Sequence, residues 1–77
     1  MHLVIYDIHA GEEYNKIKRR FYYKLSKCNV EFINKSVLLV SPEALRDVLN
    51  VMEEFKKYVV GYVADVNRLE PIGEGIL

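Results

Sequence analysis

The sequence predicts a small α+β domain in which strands and helices follow the order β-α-β-β-α-β. Three observations predict it. The chain has 77 residues, enough for one domain, taken as residues 1–77. Two stretches repeat apolar residues at spacings of three and four, the period of a helix with one buried face. Four shorter stretches are rich in β-branched and aromatic residues and are bounded by turn formers, as strands are.

Residues 2–8 (HLVIYDI) read as the first strand, and His9-Ala10-Gly11 as the loop after it. Residues 12–27 read as a helix, because Tyr14, Ile17, Phe21 and Leu25 form one apolar stripe. Glu12 and Glu13 fall in its first turn, where carboxylates complement the helix dipole. Residues 30–33 and 36–40 read as two strands with Asn34-Lys35 as the turn. Ser41-Pro42-Glu43 starts a second helix, since Ser caps and Pro suits the first helical position. Leu45, Val48, Leu49, Met52 and Phe55 mark its buried face over residues 42–57. Residues 58–66 (YVVGYVADV) are the last main strand. Asn67-Arg68 turns the chain, and Leu69 to Ile72 reads as a short extra C-terminal strand before Gly73-Glu74-Gly75. This order fits a four-stranded antiparallel sheet with both helices on one face, the ferredoxin-like arrangement.

Composition narrows the function classes. Hydrophobic residues make up 51% and charged residues 29%, a globular and not a disordered balance. Lys plus Arg equal Asp plus Glu, so net charge selects no partner and charge distribution has to. Cys28 is the single cysteine, which rules out an intramolecular disulfide and a cysteine-ligated zinc site, and it reads as a packing residue. The N-terminal run lacks the basic start and long apolar core of a signal peptide, and no stretch reaches membrane-span length. The expectation is a cytoplasmic protein with no membrane partner.

Two helices cover one side of such a sheet, and an open side normally alternates polar residues. Here Leu3 and Ile5 lie on one face, and Val4, Tyr6 and Ile8 on the other. Val37 and Leu39 oppose Leu38 and Val40 in the same way, and Val60, Tyr62 and Ala64 oppose Val59 and Val63. Both faces are apolar, so the helix-free one needs a cover. A second copy of the chain is the simplest, which predicts a two-fold homodimer, with the final strand free to cross to the partner's sheet.

Six of the eleven Lys and Arg residues fall in the first helix: Lys16, Lys18, Arg19, Arg20, Lys24 and Lys27. Such a helix either presents a phosphate-binding stripe or is a solvated face. Lys16, Lys18, Arg19 and Arg20 are the candidate nucleic-acid contacts. Asp7 is a second candidate, because Asp disfavours strands and yet follows an apolar strand run. It reads either as a turn former or as a metal-binding or catalytic carboxylate. A carboxylate at a rigid strand end suits Mg²⁺, which keeps several waters and takes one or two carboxylates. Such a cation activates water and neutralises a scissile phosphate. A dimer that pairs two Asp7 side chains would double the donor set. His9 reads as a loop residue, or as a neighbour of Asp7 if the strand continues that far.

These motifs resemble the second CRISPR-associated (Cas) protein family, the small dimeric partner of the Cas integrase. The resemblance rests on Leu3-Val4-Ile5-Tyr6-Asp7-Ile8, the basic helix, Phe32-Ile33-Asn34-Lys35-Ser36-Val37, and Tyr62-Val63 leading to Leu69-Glu70-Pro71-Ile72-Gly73-Glu74-Gly75. Members of that family are ferredoxin-like homodimers, described as metal-dependent endonucleases on RNA or DNA and as scaffolds in spacer acquisition. The resemblance implies that Asp7 is the family's strand-end Asp, a Mg²⁺ ligand near the two-fold axis. It also implies the Cas integrase and a nucleic acid as partners. Ser36-Val37 matches the family's Ser-Val-Phe with Leu38 in place of Phe, and Lys18 and Arg19 stand where the family has dispersed arginines. The sequence is also similar to the virulence-associated ribonuclease toxins.

Three functions follow as expectations: a metal-dependent endonuclease of CRISPR adaptation, a non-catalytic scaffold for DNA and integrase, and a small-molecule-sensing domain with a ligand cleft at a dimer interface. A base-stacking RNA-recognition module fits poorly, because Val37-Leu38-Leu39-Val40 offers no aromatic residue.

Overall fold

The computed structural model describes residues 1–73. Its elements are β1 (His2–Ile8), a 3₁₀ turn (Gly11–Glu13), α1 (Tyr14–Ser26), β2 (Val30–Asn34), β3 (Val37–Val40), α2 (Pro42–Glu54) and β4 (Val59–Asp65). The sheet order is β2-β3-β1-β4, and every neighbouring pair is antiparallel. The α1 crossover from β1 to β2 steps over β3, and the α2 crossover from β3 to β4 steps over β1. This is the split β-α-β arrangement of the ferredoxin-like fold.

The elements end where local hydrogen bonding changes, and this moves several expected boundaries. Gly11 takes a positive φ of 55°, which residues with a side chain rarely adopt. The Glu13 N–H then donates to the Ala10 carbonyl, so Glu12 and Glu13 precede α1 instead of lying inside its first turn. α2 stops at Glu54, not at residue 57. The Phe55 N–H is shared between the Val51 and Met52 carbonyls, and the N–H groups of Tyr58 and Val59 both donate to the Phe55 carbonyl. That turn swings the chain directly into β4. The start of α2 is as read: Ser41 accepts from the Ala44 N–H at 3.3 Å, with Pro42 in the first turn. The expected extra strand over Leu69 to Ile72 does not form in the chain, which is irregular there. Pro71 lacks an N–H to give a ladder. The segment lies instead beside Ile33 and Leu39. Glu74 and Gly75 lie outside the described residues.

Strand register assigns the two faces. Val4 pairs with Leu38 and Val63, and Tyr6 with Gly61. Val4, Tyr6, Leu38, Val40 and Val59 are buried with Ile17, Phe21 and Leu25 of α1 and Ala44 and Val48 of α2. Phe21 is fully buried and meets Tyr6, Tyr22 and Phe55 edge to face, with ring centroids 5.3, 5.8 and 5.4 Å apart. Tyr14, read as part of the α1 stripe, lies outside this core, and Ala44 joins it.

On the other face, Ile5 stands between Val37 and Tyr62, Leu3 between Leu39 and Ala64, and Asp7 opposite Val60. Ile5 is 42% exposed, Val60 56% and Tyr62 77%. The helix-free face is therefore apolar and open in the single chain, as the alternation predicts. Among the described residues, no helix is long and apolar enough to cross a membrane.

Candidate functional site

Asp7 is the penultimate residue of β1, a central strand, and its register sets it on the helix-free face. Its neighbour there is His9. The strand proper ends at Ile8, but the His9 N–H donates to the Tyr58 carbonyl at 2.6 Å and carries the β1–β4 pairing one step further. The two-residue period then leaves Asp7 and His9 on one side. His9 Nε2 lies 3.0 Å from Asp7 Oδ2, and both side chains are largely exposed. The loop position read for His9 is right for its backbone, while its side chain returns to the candidate carboxylate.

The donor set of one chain is small. Among the described residues, no group of three or more His, Cys, Asp or Glu side chains gathers where a metal could be held. Of this pair only the Asp7 carboxylate is an oxygen donor of the kind Mg²⁺ takes, and the two side chains make no caged metal site.

A cleft of about 530 Å³ opens at the same end of β1, with Asp7 among the residues around it. Its other walls come from Tyr14, Lys18 and Tyr22 of α1 and from Phe32 and Lys35 of the β2–β3 hairpin. Phe32 pairs with the buried Leu38, so the cleft faces the helix side of the sheet. Two phenols brace it. The Tyr22 hydroxyl donates to the Lys35 carbonyl at 2.6 Å, and the Tyr6 hydroxyl lies 2.8 Å from both that carbonyl and the Tyr22 oxygen. Burial, then the hydrogen bond with Tyr22, holds the Tyr6 phenol far above its ordinary pKa.

The four basic candidates do not form one patch. Lys18 joins the cleft, where its ammonium lies 5.6 Å from the centre of the Tyr14 ring. Arg20 leans the other way, over Phe55 at 5.7 Å. Lys16 and Arg19 are exposed on the side of α1 opposite its buried Ile17, Phe21 and Leu25, away from the sheet and from Asp7. Lys27 over the exposed Tyr23 ring, at 4.9 Å, extends that outer ridge. Lys24 is paired with Glu54 at 3.6 Å.

Sequence reasoning missed Tyr14, Tyr22, Phe32 and Lys35 as site residues. A signal was present: Tyr14, Lys18 and Tyr22 repeat at a spacing of four, a second stripe beside the core stripe. Cys28 behaves as the packing residue it was read to be. It is partly buried, and desolvation followed by the charge of Asp47 raises its pKa. No protein-family model, curated protein or solved structure matches the chain.

Proposed function

We propose that the chain is a homodimeric, Mg²⁺-dependent endonuclease of CRISPR adaptation, with Asp7 as metal ligand and catalytic carboxylate. One observation supports this above others: an exposed carboxylate stands on a rigid central strand, beside His9, at the margin of an uncovered apolar sheet face. A second copy docked on that face would bring another Asp7 towards the first and enlarge the oxygen donor set. The residues after Arg68 would then be available to cross to the partner's sheet.

A bound Mg²⁺ would supply an activated water and neutralise charge on the scissile phosphate. The chain's own contribution is positional. Asp7 would offer one carboxylate oxygen to the cation while His9 restrains the other, and Lys18 places a positive charge at the neighbouring cleft. The outer ridge of Lys16 and Arg19 would hold the sugar–phosphate backbone in a salt-dependent way.

That ridge also favours a second reading. Because Lys16 and Arg19 lie away from Asp7, they can bind DNA without presenting it to a catalytic group, as a scaffold for DNA and the Cas integrase would. Asp7→Asn separates the two. The nuclease reading expects labelled single-stranded RNA or duplex DNA to be cut with Mg²⁺ and not with EDTA. It expects the variant to lose roughly 100-fold or more of that activity with fold and binding intact. Rigorously purified protein that cuts neither substrate would leave the scaffold.

A further inference from the structure

We infer that the cleft between α1 and the β2–β3 turn holds an unpaired nucleobase, which makes the substrate of this site a single-stranded nucleic acid. The inference rests on the proposed reading of the Asp7 site and names the polymer that site would take. Four features of the cleft support it.

Its volume of about 530 Å³ is within the range of sites for one small group. Two of its aromatic residues are not spent on the core: Tyr14 is 40% exposed and Phe32 43% exposed. Such faces stack on any base, with little regard to sequence. Its cations are placed for the backbone that flanks a base. Lys18 stands over Tyr14, and Lys35 belongs to the exposed turn. Finally, its walls are held in advance. Tyr6 and Tyr22 fix the Lys35 carbonyl, and the Phe32 ring lies 5.7 Å from the Tyr22 ring. Asn34 accepts from the Ser36 N–H at 2.9 Å through its Oδ1, so its amide –NH₂ is the half left to donate to a base edge.

A stacked and paired base cannot enter such a recess without leaving its helix. A duplex would instead rest on the outer ridge of Lys16 and Arg19. The cleft also lies on the helix side of the sheet, so a copy docked on the other face leaves it open. Strand selection and backbone affinity thus belong to two different surfaces of the same small chain.

The test uses the full chain in EDTA, so that cleavage cannot intervene. Binding of a short single-stranded oligoribonucleotide and of a blunt-ended duplex containing the same strand is followed by fluorescence anisotropy. Phe32→Ala and Tyr14→Ala should each weaken the single strand about tenfold and leave the duplex unchanged. Lys16→Gln with Arg19→Gln should weaken both probes. Phe32→Leu, which keeps apolar volume and loses the aromatic face, should behave as Phe32→Ala, and circular dichroism should show all variants folded. Equal affinity for both probes, or aromatic variants that bind the single strand like the parent, would overturn the inference. Binding of the single strand that depends on Phe32, in a protein that never cuts with Mg²⁺, would sink the nuclease reading and leave the cleft standing. Cutting that survives Phe32→Ala with unchanged binding would do the reverse.

Discussion

Tyr6 shows how one side chain ties stability to pH. Its ring fills the core against Phe21, and its hydroxyl meets Tyr22 and the Lys35 carbonyl. Burial raises its pKa, so the native state strongly prefers the neutral phenol. Below about pH 10 the phenol is protonated whether the chain is folded or not, and this contribution is fully present. Above that, the unfolded chain releases the proton and the native chain does not, so stability falls by about 1.4 kcal/mol per pH unit. Tyr6→Phe should cost about 1 kcal/mol at neutral pH through the lost hydrogen bond. It should also make the alkaline decline shallower. Urea melts across the alkaline range would show this, and parallel pH profiles for the two proteins would refute it. At this scale the sequence was partly legible. Asp7 stood out because it breaks an apolar strand. The approach of His9 was legible only as the alternative to a loop position, because it depends on one hydrogen bond to Tyr58, a residue far along the chain.

Elements were legible where their signals are local, and illegible where they are set by a distant neighbour. The Ser41-Pro42 start of α2 carries its cap within four residues, and it forms as read. The end of α2 depends on how Phe55 seats in the core and redirects the chain, and it came three residues early. Gly61 is the clearest case of a non-local cause. In the sequence it merely weakens a strand. In the fold, a Cβ there would lie 2.6 Å from the Ile5 carbonyl oxygen and 2.9 Å from Met52 Cε. Met52 is a flexible side chain and can give way, but the β1 backbone cannot. Gly61→Ala should therefore force β4 away from β1 and destabilise by about 1–3 kcal/mol. A melting temperature equal to that of the parent would show that the strands separate at no cost. The cleft has the same non-local origin, since α1 supplies one wall and the β2–β3 hairpin the other.

For the whole molecule, the open apolar face decides the unit of function. Four strands about 4.8 Å apart, two of seven residues, one of five and one of four, present a face of roughly 360 Å². That is about half of the roughly 800 Å² that each partner of a stable complex buries. The face alone would support a weak dimer, and a firm one needs further chain. Residues 69–72 are suitably placed: they lie along the β2–β3 end of this face, and Ile72 is 94% exposed. The two-sided apolar alternation made the need for a cover legible, while the small area of the face did not appear until the strands had lengths. Tyr62→Glu tests the dimer with little risk to the fold. Tyr62 is 77% exposed in the single chain, so the change should alter monomer stability by no more than about 0.5 kcal/mol. At the interface it would bury a carboxylate against Ile5 and Val37 of the sheet, where an unpaired charge is costly. Sedimentation at micromolar concentration should give a dimer for the parent chain and a monomer for Tyr62→Glu. A parent that sediments as a monomer, or a variant that keeps the dimer mass, would remove this face as the interface. Pairing of two Asp7 carboxylates would then have no physical basis.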